Sequence, residues 1–141
     1  MIIVDTSVVY ALLDMRDGRH REARDWYGSF AEELATTPLV LAELDHLISA
    51  RAGGVALRAF RADVAAGAYS VEWWPAAAAQ SVEVAEQYRD LGLSLADASL
   101  VALAARLPTT TLATFDERHF RAVRPTHASG AFRLLPADAA Q

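Results

Sequence analysis

The sequence contains no cysteine and no lysine. The first absence excludes disulfides and thiolate metal sites. The second leaves all 13 basic residues as arginine, whose planar fork grips phosphate in a way an ammonium cannot. An alanine- and arginine-rich chain also fits GC-rich codon usage, so the bias alone assigns no function. Long apolar runs are missing, which excludes a membrane-spanning helix. No basic segment precedes the short apolar start, so no signal peptide is read, and the expected location is the cytoplasm. The P-loop, G-x-G-x-x-G and G-x-S-x-G motifs are absent, and the four histidines show no metal spacing. A net charge of −5 argues against a generic nucleic-acid coat.

What is present is a chain of 141 residues, 53% of them apolar, enough to bury the core of one domain, expected over 1–141. Its organising stretch is M-I-I-V-D-T-S, Met1 to Ser7. Ile2, Ile3 and Val4 lack polar alternation and read as a strand buried on both faces. Asp5 falls where that strand ends. Ligands in open α/β sheets gather at the carboxyl ends of strands, so Asp5 is a candidate site residue. It is equally a candidate N-cap for the helix that follows.

Helices and short strands then alternate. Helices are expected over Val8 to Leu13, Arg19 to Leu34, Pro38 to Arg51, Val55 to Ala66, Pro75 to Arg89 and Ser94 to Arg106, with a single turn at Glu117 to Phe120. Strands are expected at Ala35 to Thr37, Tyr69 to Trp74, Thr110 to Ala113 and, as an edge, Phe132 to Leu135. Trp26 sits just off the apolar stripe of its helix, and with Tyr10 it reads as an exposed aromatic surface for a partner. The pattern is that of a three-layer α/β domain with a short, mainly parallel sheet flanked by helices.

Four acids stand out. Besides Asp5, Glu43 shares a helix face with Leu39, Leu47 and Ala50; a glutamate on a buried stripe costs several kcal/mol in desolvation unless compensated. Asp97 lies on the stripe of Leu93, Leu100, Val101 and Ala104, where Ser94 and Asp97 also resemble a capping box. Asp116 follows the fourth strand, where it too could be a cap. Right-handed crossovers would bring such positions to one sheet edge. Two unit charges about 5 Å apart cost roughly 3 kcal/mol at an effective dielectric near 20, so a cluster of four calls for cations. All-oxygen ligands point to Mg²⁺ or Mn²⁺ and away from zinc.

Together these pieces resemble a known family. I-V-D-T-S at the start, A-E-L at 42–44, L-A-D-A-S-L-V-A-L-A-A at 95–105 and T-F-D-E-R-H-F at 114–120, followed by Arg124-Pro125, are similar to a PIN-domain ribonuclease, specifically a VapC-type toxin of a type II toxin–antitoxin pair. The resemblance covers nearly the whole chain. It implies a Rossmann-like sheet, and metal-binding and catalytic acids at Asp5, Glu43, Asp97 and Asp116, with Ser7 and Thr114 in support. It implies Mg²⁺-dependent cleavage of structured RNA (transfer or ribosomal) by metal-activated water, a cognate antitoxin and a homodimer. Arg16, Arg19, Arg118 and Arg121 are candidates for gripping the RNA backbone. Two alternatives stay open at this point. One is a non-catalytic partner-binding domain with a structural cation. The other is a metal-dependent phosphatase, although such enzymes usually want a second acid where Ser7 stands.

Overall fold

The computed structural model describes residues 1–140; Gln141, the last residue of the expected domain, lies outside them. Strand β1 is Ile2–Val4. All three residues are buried, and because successive side chains face opposite ways, both faces of the strand are covered. Asp5 caps helix α1, Thr6–Leu13, and α2 follows at His20–Tyr27. Strand β2, Leu34–Thr36, leads into α3, Pro38–Arg51, with proline at the helix start. Its fixed φ suits that position and its missing N–H costs nothing there. Helix α4 is Gly54–Ala65 and strand β3 is Ser70–Val71. Helices α5, Ala77–Gln87, and α6, Leu95–Arg106, precede β4, Thr111–Ala113. The one-turn α7, Glu117–Phe120, and strand β5, Arg133–Leu135, complete the chain.

The five strands run in the order β3-β2-β1-β4-β5. Every pairing is parallel, with Ile3 opposite both Ala35 and Leu112. The sheet is therefore wholly parallel rather than mainly so. β1 is central, and the chain winds outward from it in both directions. Among the described residues no helix is long and apolar enough to cross a membrane.

Four expectations are corrected. The helix from Arg19 stops at Tyr27, well short of Leu34: Ser29 Oγ donates to the Trp26 carbonyl at 2.6 Å, and Leu34 is taken into the sheet beside Ile2. Sheet pairing there wins over helical periodicity. The third strand is reduced to Ser70–Val71, because Trp74 turns into the core and donates Nε1–H to Gln80 at 2.8 Å. Trp26 is not exposed; it is 6% accessible and stacks on Phe30 at 4.5 Å between ring centroids. Tyr10 is half-buried, and its hydroxyl donates to Asp14 at 2.6 Å. Finally, the buried stripe of α3 is Val40, Leu44 and Ile48. Leu39 and Leu47 are half-buried and Ala50 is exposed.

Candidate active site

The sheet order reverses between β1 and β4, which opens a crevice at their carboxyl ends. Asp5 directly follows β1, and Asp116 lies just beyond β4. Glu43 comes from α3 and Asp97 from the first turn of α6. All four line one cleft of about 380 Å³. Glu43 reaches it from the half-buried flank of α3, beside the buried stripe and not on it, so the full desolvation cost argued from the sequence does not apply.

Asp5 is the most constrained of the four, at 3% exposure. Its Oδ1 accepts the Thr6 N–H at 2.7 Å. Its Oδ2 accepts from Ser7 Oγ at 2.8 Å and from Thr114 Oγ1 at 2.7 Å. Each hydroxyl in turn accepts a backbone N–H, Ser7 from Phe115 at 2.9 Å and Thr114 from Asp116 at 2.8 Å. With its one proton given to Asp5, neither hydroxyl has a proton left for the other, so their 3.3 Å approach is a contact without a hydrogen bond. Burial pushes the Asp5 carboxyl above the usual carboxylate range, while these three hydrogen bonds pull it back.

Asp97 carries half of the capping box: Ser94 Oγ accepts its backbone N–H at 3.0 Å, and its carboxylate lines the cleft. The cap and site readings of Asp97 are thus compatible, since one uses the backbone and the other the side chain. Its pKa is pushed up to about 7, first by burial, then by Asp5, Asp116 and Glu43, with His119 acting the other way. Asp116 also does both jobs. It caps α7 by accepting the His119 N–H at 3.2 Å and lines the cleft.

Hard oxygen donors dominate this cleft, and like charges crowd them. Oxygen atoms of Asp97 and Asp116 lie within 4.8 Å of each other and of a ring nitrogen of His119, close enough to share one ion. Thr6 lines the same cleft, and its buried Oγ1 has no hydrogen-bond partner. Surplus negative charge, small separations and an unanswered hydroxyl fit a hydrated divalent cation.

The sequence profile of the PIN domain matches residues 2–124. The chain belongs to the PIN-domain family. It is 36% identical over 136 residues to the protein named ribonuclease VapC26 of Mycobacterium tuberculosis, which covers 96% of this chain and 100% of the relative. The crystal structure of Mycobacterium tuberculosis VapC20, described as a toxin that cleaves the sarcin-ricin loop, superposes with a TM-score of 0.74 at 26% identity, covering 79% of this chain and 87% of that one. A toxin–antitoxin complex from Klebsiella pneumoniae shares the fold, with a TM-score of 0.64 at 19% identity, over 91% of this chain and 100% of the other.

Around the acids of this PIN domain the arginines divide. Arg19 lines the cleft, pairs with Glu22 at 2.9 Å and lies 3.9 Å above the Phe115 ring. Arg121 is committed elsewhere, bonded to Glu117 at 3.1 Å and Asp138 at 2.7 Å. Arg118 and Arg16 are exposed, and Arg16 donates to the Arg51 carbonyl; neither is among the residues that line the cleft. Several residues of the cleft lay outside the sequence reading, among them Thr6, Asp17 and Arg51, and His119 sits beside two of its acids. Arg51 lines the cleft, and the available signal was its spacing, two helical turns beyond Glu43 with Leu47 between. His119 is one of the four histidines whose positions in the sequence show no metal spacing. It is mostly buried, with Nδ1 2.8 Å from Asp116 Oδ2.

Proposed function

We propose that this PIN domain, taken as one domain over 1–141, is a toxin ribonuclease of a toxin–antitoxin pair that hydrolyses structured RNA with a divalent metal. The observation that carries the reading is the meeting of four carboxylates, from β1, α3, α6 and the β4–α7 turn, in one cleft. The relative named as a ribonuclease and the one described as a toxin, matched over most of their lengths, support the same conclusion.

In this reading Asp5, Glu43, Asp97 and Asp116 hold Mg²⁺, or Mn²⁺ in its place. When bound, the cation supplies positive charge that offsets charge developing on the attacked phosphate, and it makes a water nucleophilic at neutral pH. Ser7 and Thr114 orient the Asp5 carboxylate and favour its charged form by donating to it. Arg19 and Arg51, at the cleft wall, draw in the RNA backbone, and that attraction weakens with salt. No side chain here acts as a covalent nucleophile. The proposal extends to an antitoxin that covers the cleft and to a homodimer of the toxin.

The test is direct. Purified protein is incubated with total RNA in Mg²⁺, in Mn²⁺ and in EDTA, and the gene next to its own is co-expressed. The reading expects cutting only with a divalent ion, and relief of toxicity by the neighbour's product. Equal cutting in EDTA, or none with either ion after the partner is removed, overturns it.

A further inference from the structure

His119 stands beside two of the cleft acids, Asp97 and Asp116, and has no task in the proposed reaction. Its backbone N–H donates to Asp116 Oδ1 at 3.2 Å, and its Nδ1 lies 2.8 Å from Asp116 Oδ2. One residue therefore engages both oxygens of that carboxylate. The same Nδ1 is 3.9 Å from Asp97 Oδ2. Helix α7 is a single turn, and the Asp116 side chain is 34% accessible, against 15% for Asp97. Packing fixes Asp116 less than it fixes Asp97, and an unfixed carboxylate samples several rotamers.

We infer that His119 is a positioning residue: its Nδ1–H holds the Asp116 carboxylate toward Asp97, so that the two acids form a preset bite for a divalent cation. The inference rests on reading the cleft as a cation site. A ring nitrogen and a carboxylate oxygen 2.8 Å apart are at hydrogen-bond distance and share a proton. Carboxylates that bind metals are commonly steered by such an outer hydrogen bond, and losing one typically weakens metal binding 10–100-fold. The bond also explains why a histidine, with a donor two atoms beyond Cβ, stands one turn after Asp116.

Asparagine places an amide N–H at the same distance from Cβ, so His119→Asn keeps the donor and removes the ring. The experiment titrates Mn²⁺ and Mg²⁺ by calorimetry into wild type, His119→Ala, His119→Asn and Asp97→Asn. It then measures kcat and KM on RNA, with melts in EDTA to confirm folding. The expected result is cation binding about tenfold weaker in His119→Ala and restored to near wild type in His119→Asn. The kcat should fall in the alanine variant while KM for RNA holds. If His119→Ala binds cations as wild type does while Asp97→Asn does not, the inference fails and the cleft reading survives. If His119→Asn is as weak as alanine, with Mn²⁺ affected more than Mg²⁺, the ring is itself a ligand and the inference is again overturned. A wild type that binds neither ion defeats both.

Discussion

Thr114 Oγ1 donates to Asp5 Oδ2 at 2.7 Å, which joins the exits of two neighbouring parallel strands through one hydroxyl. The same oxygen accepts the Asp116 N–H at 2.8 Å, so Thr114 links two of the four cleft acids. Thr114→Val keeps the shape and deletes both bonds. It should cost roughly 1–3 kcal/mol of stability, because it leaves buried polar groups unanswered. It should also weaken divalent-ion binding, because Asp5 loses a donor that favours its charge. Thr114→Ser should restore most of both. Denaturant melts and cation titrations check this; a valine variant with unchanged ion affinity would remove Thr114 from the site.

Asp97→Asn should separate stability from activity. The wild-type carboxylate is penalised in the folded state at neutral pH, because burial and three neighbouring acids raise its pKa to about 7. Removing that charge should leave the protein in EDTA as stable at pH 7, or more stable by up to roughly 2 kcal/mol. Cleavage and most of the stabilisation given by Mg²⁺ should disappear, since a ligand stabilises only the state that binds it. Thermal melts with EDTA and with Mg²⁺ read both effects. A mutant less stable in EDTA, equally stabilised by Mg²⁺ and still active would return Asp97 to a purely capping role.

The same shift sets a pH dependence for wild type in EDTA. With its pKa raised, folded Asp97 binds a proton at a pH where the unfolded chain does not, so folding becomes more favourable as pH falls. The penalty is complete above about pH 7 and fades below it, toward the ordinary value of 3.8. Asp5 is shifted in the same direction. Asp138 runs the other way: Arg121 beside it holds its carboxyl down to about 2, so that contribution is lost on further acidification. The melting temperature in EDTA should rise from pH 8 to about pH 5, and saturating Mg²⁺ should flatten or invert the slope. A flat profile in EDTA contradicts the clustering of charge at Asp97.

Trp26→Ala should destabilise the fold by about 3–5 kcal/mol, the usual cost of emptying a large aromatic site. The ring is buried against Phe30. Any loss of partner binding in that variant should follow loss of folded protein. Denaturant melts check it, and a variant with wild-type stability would place the ring outside the core.

Arg51→Ala should raise KM for RNA and leave kcat within a few-fold, since Arg51 lines the cleft without joining the acids. The dependence of log affinity on log salt should lose about one unit of slope, as expected for one phosphate contact. An unchanged slope would assign Arg51 to structure alone.

The sheet was legible because Ile2, Ile3 and Val4 have no polar face to expose, and because Pro38 and Ser94 mark helix starts. The convergence of the acids followed from strand ends and crossover handedness. Helix flanks were not legible. Glu43 sits between a buried stripe and a cleft, and periodicity alone cannot tell a half-buried flank from the core. Trp26 was misjudged for the opposite reason: a large ring reaches past its own stripe and buries itself against Phe30. His119 was invisible as a site residue because its partner is a carboxylate three positions earlier, which any exposed turn could also show.

The central claim is that water, made reactive in a divalent-metal cleft, is the nucleophile. The measurement that bears on it most directly is the chemistry of the ends left on cut RNA, determined in ¹⁸O-water with Mg²⁺ and with EDTA. The account predicts a linear phosphate monoester that carries one water-derived oxygen per cut, formed as the first product and only with the divalent ion. A 2′,3′-cyclic phosphate as first product, formed equally well in EDTA, would mean that the RNA's own 2′-hydroxyl attacks and that the four acids are not a catalytic metal site.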